Sequence, residues 1–197
     1  MVLESVSAII LAGGQSRRMG RDKALITFKG QPIMVHVIDT LRELSDDVLV
    51  VSNRSAAYQS FGIRIVPDAD PPSGPLGGIS AGLAAAQHDL AIVVACDMPF
   101  LNAQVLRLLV EHAVNVDAVV PLTSDQFEPL HAVYRRTCLA AINRHLAGGD
   151  RRVISFFDEV RVQVVPETAW QLLDPTGRSM ANLNTPDDLH QLRQGQA

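Results

Sequence analysis

The chain has 197 residues, of which 47% are apolar and 19% are charged, and its formal net charge is −4. This composition is typical of one soluble globular domain, and its mild acidity argues against a general nucleic-acid or anionic-membrane surface. The two cysteines, Cys96 and Cys138, lack the spacing of a disulfide framework or a zinc site, which indicates reduced thiols in a cytoplasmic protein. There is no signal-peptide pattern, no membrane-spanning apolar run, no repeat and no linker, so we expect a single domain over residues 1–197.

Apolar, β-branched runs recur along the chain, with helical patterns between them. The predicted strands are Val6–Leu11, Val48–Val51, Ile63–Val66, Leu90–Ala95, Asp117–Pro121 and Val160–Val165. The predicted helices are Pro32–Leu44, Ile79–Gln87, Asn102–His112 and Arg135–Ala147. This alternation predicts an α/β fold with a Rossmann-like, mostly parallel sheet flanked by helices on both faces.

A glycine-rich, basic loop follows the first predicted strand and reads LAGGQSRRMGRDK over residues 11–23. Glycines let backbone N–H groups approach phosphate oxygens closely. The loop is not a P-loop, because Arg21 follows Gly20 where that motif needs lysine, and the dinucleotide pattern G-x-G-x-x-G is absent. On a mildly acidic protein, the loop indicates a small anionic ligand bound by four cations, which are Arg17, Arg18, Arg21 and Lys23.

The longer segment LAGGQSRRMGRDKAL resembles the signature of the molybdenum cofactor guanylyltransferase family. The resemblance runs from Ala8 to about Leu189 and includes a C-D-x-P motif at residues 96–99 and an N-x-N-T-P motif at residues 182–186. It implies a fold of the nucleotide-diphospho-sugar transferase type. It also implies an enzyme that transfers GMP from GTP to the phosphate of Mo-molybdopterin, forming molybdopterin guanine dinucleotide and pyrophosphate.

Two residues carry the expected chemistry, Asp97 and Lys23. Asp97 ends a predicted strand, where a carboxylate either caps the next helix or holds a cation against bound phosphates. The resemblance favours the second reading and implies a Mg²⁺ ligand at Asp97. Lys23 is either a solvated surface lysine or a group that stabilises charge developing on the phosphates, and its place in the signature favours the latter. A phosphomonoester nucleophile is largely dianionic at neutral pH and needs no general base.

The resemblance implies a GTP site that includes Asn53 and Asp68, although both residue types are also common in turns. Asp68 lies in a segment over residues 67–78 that is rich in proline and glycine and is predicted to contain neither helix nor strand. Gly13 stands where the related cytidylyltransferases have alanine, which is consistent with a purine close to the backbone. The complete implied GTP site comprises Leu11, Ala12, Gly13, Gly14, Lys23, Asn53, Asp68 and Asp97.

The candidates for molybdopterin binding lie in the second half of the chain. Arg151 and Arg152 follow a Gly-Gly pair and are predicted to open a helical run, where they could hold a phosphate. In the N-x-N-T-P motif, Thr185 and Pro186 also fit the start of a helix. The full set is His131, Arg151, Arg152, Asn182 and Asn184.

Other functions remain open at this point. They are a CTP-dependent molybdopterin cytidylyltransferase, a sugar-phosphate nucleotidyltransferase, and a nucleotide-binding regulator without catalytic activity. The resemblance implies GTP and Mo-molybdopterin as substrates, with a molybdenum insertion protein and apo-molybdoenzymes as further partners. We expect a cytoplasmic monomer that binds neither nucleic acid nor membrane.

Overall fold

The computed structural model describes residues 5–13, 22–68 and 72–183. Its strands are β1 (Val6–Leu11), β2 (Thr27–Phe28), β3 (Gln31–Pro32), β4 (Asp47–Val51), β5 (Arg64–Val66), β6 (Leu90–Ala95), β7 (Ala118–Thr123), β8 (Gln126–Phe127), β9 (His131–Arg135) and β10 (Val162–Val165). Its α-helices are α1 (Ile33–Arg42), α2 (Ser55–Tyr58), α3 (Gly74–Ala85), α4 (Ala103–Glu111), α5 (Leu139–Ala147) and α6 (Glu167–Trp170). Short 3-10 helices cover Lys23–Leu25, Gln59–Phe61, Arg136–Cys138, Phe157–Glu159 and Arg178–Met180.

The central sheet has the strand order β10-β7-β9-β6-β1-β4-β5, with β8 paired to the end of β7. β1 pairs in parallel with β4 and β6, β4 with β5, and β7 with β10, whereas β9 runs antiparallel to both of its neighbours. The predicted α/β class with a mostly parallel sheet is therefore confirmed. All six predicted strands are present, and the sequence analysis missed β9 and the two-residue strands β2, β3 and β8.

Apolar side chains cover both faces of the sheet, because successive residues of a strand point to opposite sides. In β1, Ile10 joins the core cluster that contains α1 and α4 residues, whereas Ile9 joins the cluster that contains α3 and α5 residues. The expectation of helices on both faces is confirmed. Among the described residues, no helix has the length and apolar character needed to cross a membrane.

Helix α3 corrects one prediction, because it begins inside the segment that was predicted to contain neither helix nor strand. The chain enters at Gly74, with φ of 72°, and Pro75 occupies the first turn, where a missing N–H costs nothing. The later glycine Gly82 allows close packing, since a Cβ there would lie 2.5 Å from Cγ2 of Ile9. Proline and glycine therefore position this helix on β1 rather than prevent it.

Two further boundaries differ from the predictions. Arg135 ends β9 instead of starting a helix, and α5 begins after a 3-10 turn. No helical run follows Gly149, because residues 150–156 form turns and irregular structure. Asp150 instead accepts hydrogen bonds from the backbone and guanidinium of Arg152, a local contact that competes with helix formation.

Candidate active site

The carboxyl ends of β1, β4, β5 and β6 meet at one edge of the sheet, which is where open α/β sheets bind ligands. Backbone hydrogen bonds hold these ends together: Ala12 N–H donates to the Val51 carbonyl at 3.0 Å, and Cys96 N–H donates to the Leu11 carbonyl at 3.2 Å. The predicted GTP-site residues that lie in or just beyond these strand ends are Leu11, Ala12, Gly13, Asn53, Asp68 and Asp97.

Lys23 and Asp97 form an ion pair at this edge, although they are 74 residues apart in sequence. Lys23 Nζ lies 3.0 Å from Asp97 Oδ2, and the two side chains are only 18% and 15% exposed. Lys23 opens a 3-10 helix, whereas Asp97 follows β6 by two residues. The structure thus brings together the two residues that the sequence analysis selected as catalytic.

Asp68 is held in place beside the end of β1. Its backbone N–H donates to Oδ1 of Asn53 at 2.9 Å. A Cβ atom added to Gly13 would lie 3.0 Å from Asp68 Oδ2, so the carboxylate rests close to the glycine backbone. Three of the predicted nucleotide-binding residues therefore form one contiguous group.

A second network, which the sequence analysis missed, surrounds Asp22. Its carboxylate accepts hydrogen bonds from the Tyr58 hydroxyl at 2.7 Å and from the backbone N–H of Ala24 at 3.2 Å. Arg54 Nη2 lies 3.0 Å from the same carboxylate. The position of Asp22 directly before Lys23 was the one signal available in the sequence, since nothing near Tyr58 indicates a contact across 36 residues.

Cys96 precedes Asp97, but it is not a candidate nucleophile. Burial, and then the nearby negative charge of Asp97, raise the pKa of its thiol far above the usual range. A thiol held in its protonated form is a poor nucleophile.

Asn182 lies near the same edge of the sheet, because its neighbour Leu183 contacts Asp97. Leu183 N–H donates to the backbone carbonyl of Asp97 at 3.0 Å. The side-chain Oδ1 of Asn182 is buried and has no hydrogen-bond partner among the described residues. Leu183 therefore holds Asn182 next to the residue that is expected to bind metal.

His131 occupies a different environment from the one expected of a residue that contacts substrate. It is the first residue of β9, pairs in register with Val94 of β6, and is fully buried. Burial lowers the pKa of its imidazole to about 4, although the charge of Asp174 acts in the opposite direction. The backbone of Ser179 acts on this pKa in the same direction as Asp174.

The remaining candidates are not brought to the site by any described contact. The side chains of Arg151 and Arg152 are exposed, and Arg152 is engaged by Asp150. Gly14 and Asn184 lie outside the described residues, as do Arg17, Arg18 and Arg21.

The oxygen donors at the edge fit a magnesium ion that binds mainly through its substrate. Within residues 5–13, 22–68 and 72–183, no group of three or more His, Cys, Asp and Glu side chains could enclose a metal. Mg²⁺ usually keeps several waters and binds through one or two carboxylates plus substrate phosphates. The Asp97 carboxylate and the unpartnered Oδ1 of Asn182 are oxygen ligands of the required kind.

Comparison with known proteins identifies the family of the chain. Residues 8–164 match the family model described as the MobA-like NTP transferase domain. A "Probable molybdenum cofactor guanylyltransferase" from Chloroflexus aggregans is 40% identical, with 93% of this chain and 91% of the relative covered. A molybdenum cofactor guanylyltransferase from Desulfosudis oleivorans is 36% identical, with 95% and 94% covered.

A solved structure supports the same assignment. The crystal structure of molybdopterin-guanine dinucleotide biosynthesis protein A from Archaeoglobus fulgidus superimposes with a TM-score of 0.83 at 25% identity. The match covers 96% of this chain and 97% of that one. The predicted resemblance is confirmed, and the chain belongs to the molybdenum cofactor guanylyltransferase family.

Proposed function

We propose that the chain transfers GMP from GTP to the phosphate of Mo-molybdopterin, releasing pyrophosphate, and that Lys23 and Asp97 are its catalytic residues. The observation that carries this proposal is their contact at 3.0 Å on the ligand-binding edge of the sheet. A relic that only bound nucleotide would not need both a partly buried lysine and a carboxylate paired with it. Family membership supports the same reaction.

The chemistry brings one anion to another. A phosphate oxygen of molybdopterin attacks the α-phosphorus of GTP, the bond from that phosphorus to the bridging oxygen breaks, and pyrophosphate departs with the electron pair. Negative charge on the equatorial and leaving oxygens must be stabilised, and positioning with electrostatics supplies most of the catalysis. Lys23 donates to these oxygens, which requires its ammonium group to leave the carboxylate of Asp97.

Asp97 is then available to a cation. Asp97, with Asn182 as a second oxygen donor, would hold a Mg²⁺ ion, which would supply charge neutralisation for the phosphates. In the absence of substrate, the ion pair with Lys23 compensates the charge of the Asp97 carboxylate at low exposure. The Asp97 carboxylate would therefore pair with Lys23 before substrate binds and with the metal ion afterwards.

Asp68 and Asn53 suit recognition of guanine. The Watson–Crick edge of guanine presents donors at N1 and N2 and an acceptor at O6. A fixed carboxylate accepts from both donors, and Asn53 fixes the backbone of Asp68. We assign the base-binding role to these two residues, with Leu11, Ala12, Gly13 and Gly14 against the nucleotide.

The acceptor side is assigned mainly to the C-terminal segment. Asn182 is the best supported residue because its neighbour Leu183 contacts Asp97. His131, which is fully buried, Arg151, Arg152 and Asn184 remain predictions carried by the family resemblance. We further propose one domain over residues 1–197, a cytoplasmic monomer, and exchange of cofactor with a molybdenum insertion protein and apo-molybdoenzymes.

Pyrophosphate release distinguishes this function from its alternatives. The purified chain is mixed with Mo-molybdopterin and each of the four nucleoside triphosphates, with and without Mg²⁺. We expect release with GTP and Mg²⁺. Release with CTP instead would indicate a cytidylyltransferase, release only with a sugar phosphate as acceptor would indicate a sugar nucleotidyltransferase, and GTP binding without any release would indicate a regulator.

A further inference from the structure

The carboxylate of Asp22 gathers three donors from two parts of the chain. Tyr58 donates its hydroxyl proton at 2.7 Å, Arg54 approaches to 3.0 Å, and Ala24 donates its backbone N–H at 3.2 Å. Arg54 Nη2 also donates to the Tyr58 hydroxyl oxygen at 3.4 Å. We call Asp22, Arg54 and Tyr58 the Asp22 clamp.

Burial restrains the contact between Asp22 and Tyr58 within this clamp. Tyr58 is fully buried, and the Asp22 side chain is 10% exposed. Burial, and then the hydrogen bond to Asp22, raise the pKa of the Tyr58 hydroxyl, so Tyr58 remains a donor throughout the working range of pH. Removing one partner of such a buried carboxylate destabilises the folded state, because water cannot replace the missing donor.

The clamp acts on Lys23 through the backbone. Asp22 immediately precedes Lys23, and its side chain caps the 3-10 turn that begins there. A lysine side chain has several rotatable bonds, so its reach depends on how firmly its Cα is held. Arg54 and Tyr58 anchor that Cα to the segment that follows β4.

We propose that Tyr58 and Arg54 are positioning residues of the transfer reaction, acting through Asp22 to fix the backbone from which Lys23 reaches the phosphates. The inference rests on the proposed function, in which Lys23 stabilises the transition state. Lys23 exchanges its partner from Asp97 to phosphate during the reaction. The clamp keeps its Cα in one place while the side chain moves, so the clamp affects turnover more than GTP binding.

The chain provides a matched pair for the test, since it contains two tyrosines, Tyr58 and Tyr134. Both are fully buried with their hydroxyls hydrogen-bonded, and Tyr134 donates to the Pro129 carbonyl at 2.9 Å. We expect Tyr58→Phe to lower kcat about tenfold with KM for GTP changed less than about twofold, and Tyr134→Phe to leave both near the parent values. The thermal midpoints of the two variants show whether loss of stability explains any difference.

A readout independent of turnover comes from the two lysines of the chain, Lys23 and Lys29. Lys29 is exposed in the turn between β2 and β3 and serves as an internal reference. Brief acetylation by acetic anhydride followed by mass spectrometry compares the two amines. In Tyr58→Phe, labelling of Lys23 relative to Lys29 should rise about fivefold, the effect expected from losing one buried hydrogen bond, with no rise in Tyr134→Phe.

Arg54→Gln provides a second variant at a partly exposed position, and Arg144→Gln, which removes a surface ion pair with Glu159, is its control. Arg54→Gln should show the same pattern as Tyr58→Phe with a smaller amplitude. Unchanged Lys23 labelling in both clamp variants overturns the positioning role, and increased labelling with parental kcat overturns its importance for the reaction. If the parent releases pyrophosphate with none of the four nucleotides, the proposed function fails, while labelling still decides the clamp.

Discussion

A Cβ atom on Gly13 would lie 3.0 Å from the Oδ2 atom of Asp68, so a methyl group fits there only if the carboxylate moves. The sequence analysis attributed this glycine to the room needed by a purine. The structure adds a reason within the protein, because the group that a methyl would displace is the proposed base-reading carboxylate. A single residue can therefore change base choice without contacting the base.

Gly13→Ala should narrow the preference for GTP over CTP. We expect the parent chain to prefer GTP by at least about tenfold, or about 1.4 kcal/mol, because a site built for guanine leaves polar groups unpaired with another base. The alanine displaces Asp68 and weakens the guanine contacts, with less effect on CTP. Ratios of kcat/KM for the two nucleotides measure this.

Gly148→Ala is the matched control for Gly13→Ala. Gly148 follows α5 with φ of −77°, and an added Cβ there would lie 3.5 Å from the carbonyl oxygens of Arg144 and His145, an ordinary van der Waals contact. It should leave the nucleotide ratio unchanged. Equal use of GTP and CTP by the parent would show that Gly13 does not report base choice, and the assignment would become a general nucleotidyltransferase.

Lys23→Ala should lower kcat by about two to three powers of ten, comparable to losing one donor to a developing oxyanion. GTP affinity, measured by calorimetry, should fall less than turnover because the contact strengthens in the transition state. Lys29→Ala tests whether removing any lysine has this effect. If GTP affinity and kcat fell by the same factor in Lys23→Ala, Lys23 would instead be a residue that contacts the phosphates of GTP already in the ground state.

Asp97→Asn should abolish Mg²⁺-dependent turnover while preserving the fold. The amide keeps the shape of the side chain but loses the charge that attracts a cation. Because the amide oxygen can still accept a hydrogen bond from the Lys23 ammonium group, we expect the unfolding free energy to change by about 1 kcal/mol. The turnover rate of the variant is measured as Mg²⁺ is titrated. If the rate reaches that of the parent, Asp97 is not the metal ligand.

His131 should make folding stability depend on pH below neutrality. Its pKa falls from 6.5 to about 4 in the fold, so between these values the unfolded chain binds a proton that the folded chain does not. Stability therefore decreases as pH falls through this window, with a slope of at most about 1.4 kcal/mol per pH unit from this residue. Unfolding free energies are measured by urea denaturation at several pH values between 4 and 6.5. The unfolding free energy of His131→Leu should change less with pH than that of the parent, and an identical pH dependence would contradict the prediction.

The pattern of apolar residues was sufficient to predict most strands of the central sheet, but it was not sufficient for β9. The buried runs of β1, β4 and β6 are continuous and apolar, so their pattern is clear. β9 begins with His131 and ends with Arg135, and these polar ends conceal a strand that is buried between two others. The start of α3 was missed because proline and glycine were taken as helix breakers without their positions in the first turn.

The residues of the candidate site also include some that the sequence predicts and others that it does not. Lys23 and Asp97 were predictable because each lies in a motif next to a strand end, and the two strands are neighbours. The Asp22 clamp was not, since Tyr58 meets Asp22 only through tertiary packing. The burial of His131 likewise depends on the place of β9 between β6 and β7, which local sequence does not encode.

The reversed direction of β9 has a consequence for how this enzyme can diverge. Because β9 runs against β6 and β7, the exit of β7 at Thr123 and the entry of β9 at His131 open on the same side as Asp97. The short hairpin between them can lengthen, shorten or change composition without disturbing the ends of β1, β4 and β5, where the proposed nucleotide site lies. One part of this edge can therefore accumulate sequence change while the other part is inherited intact.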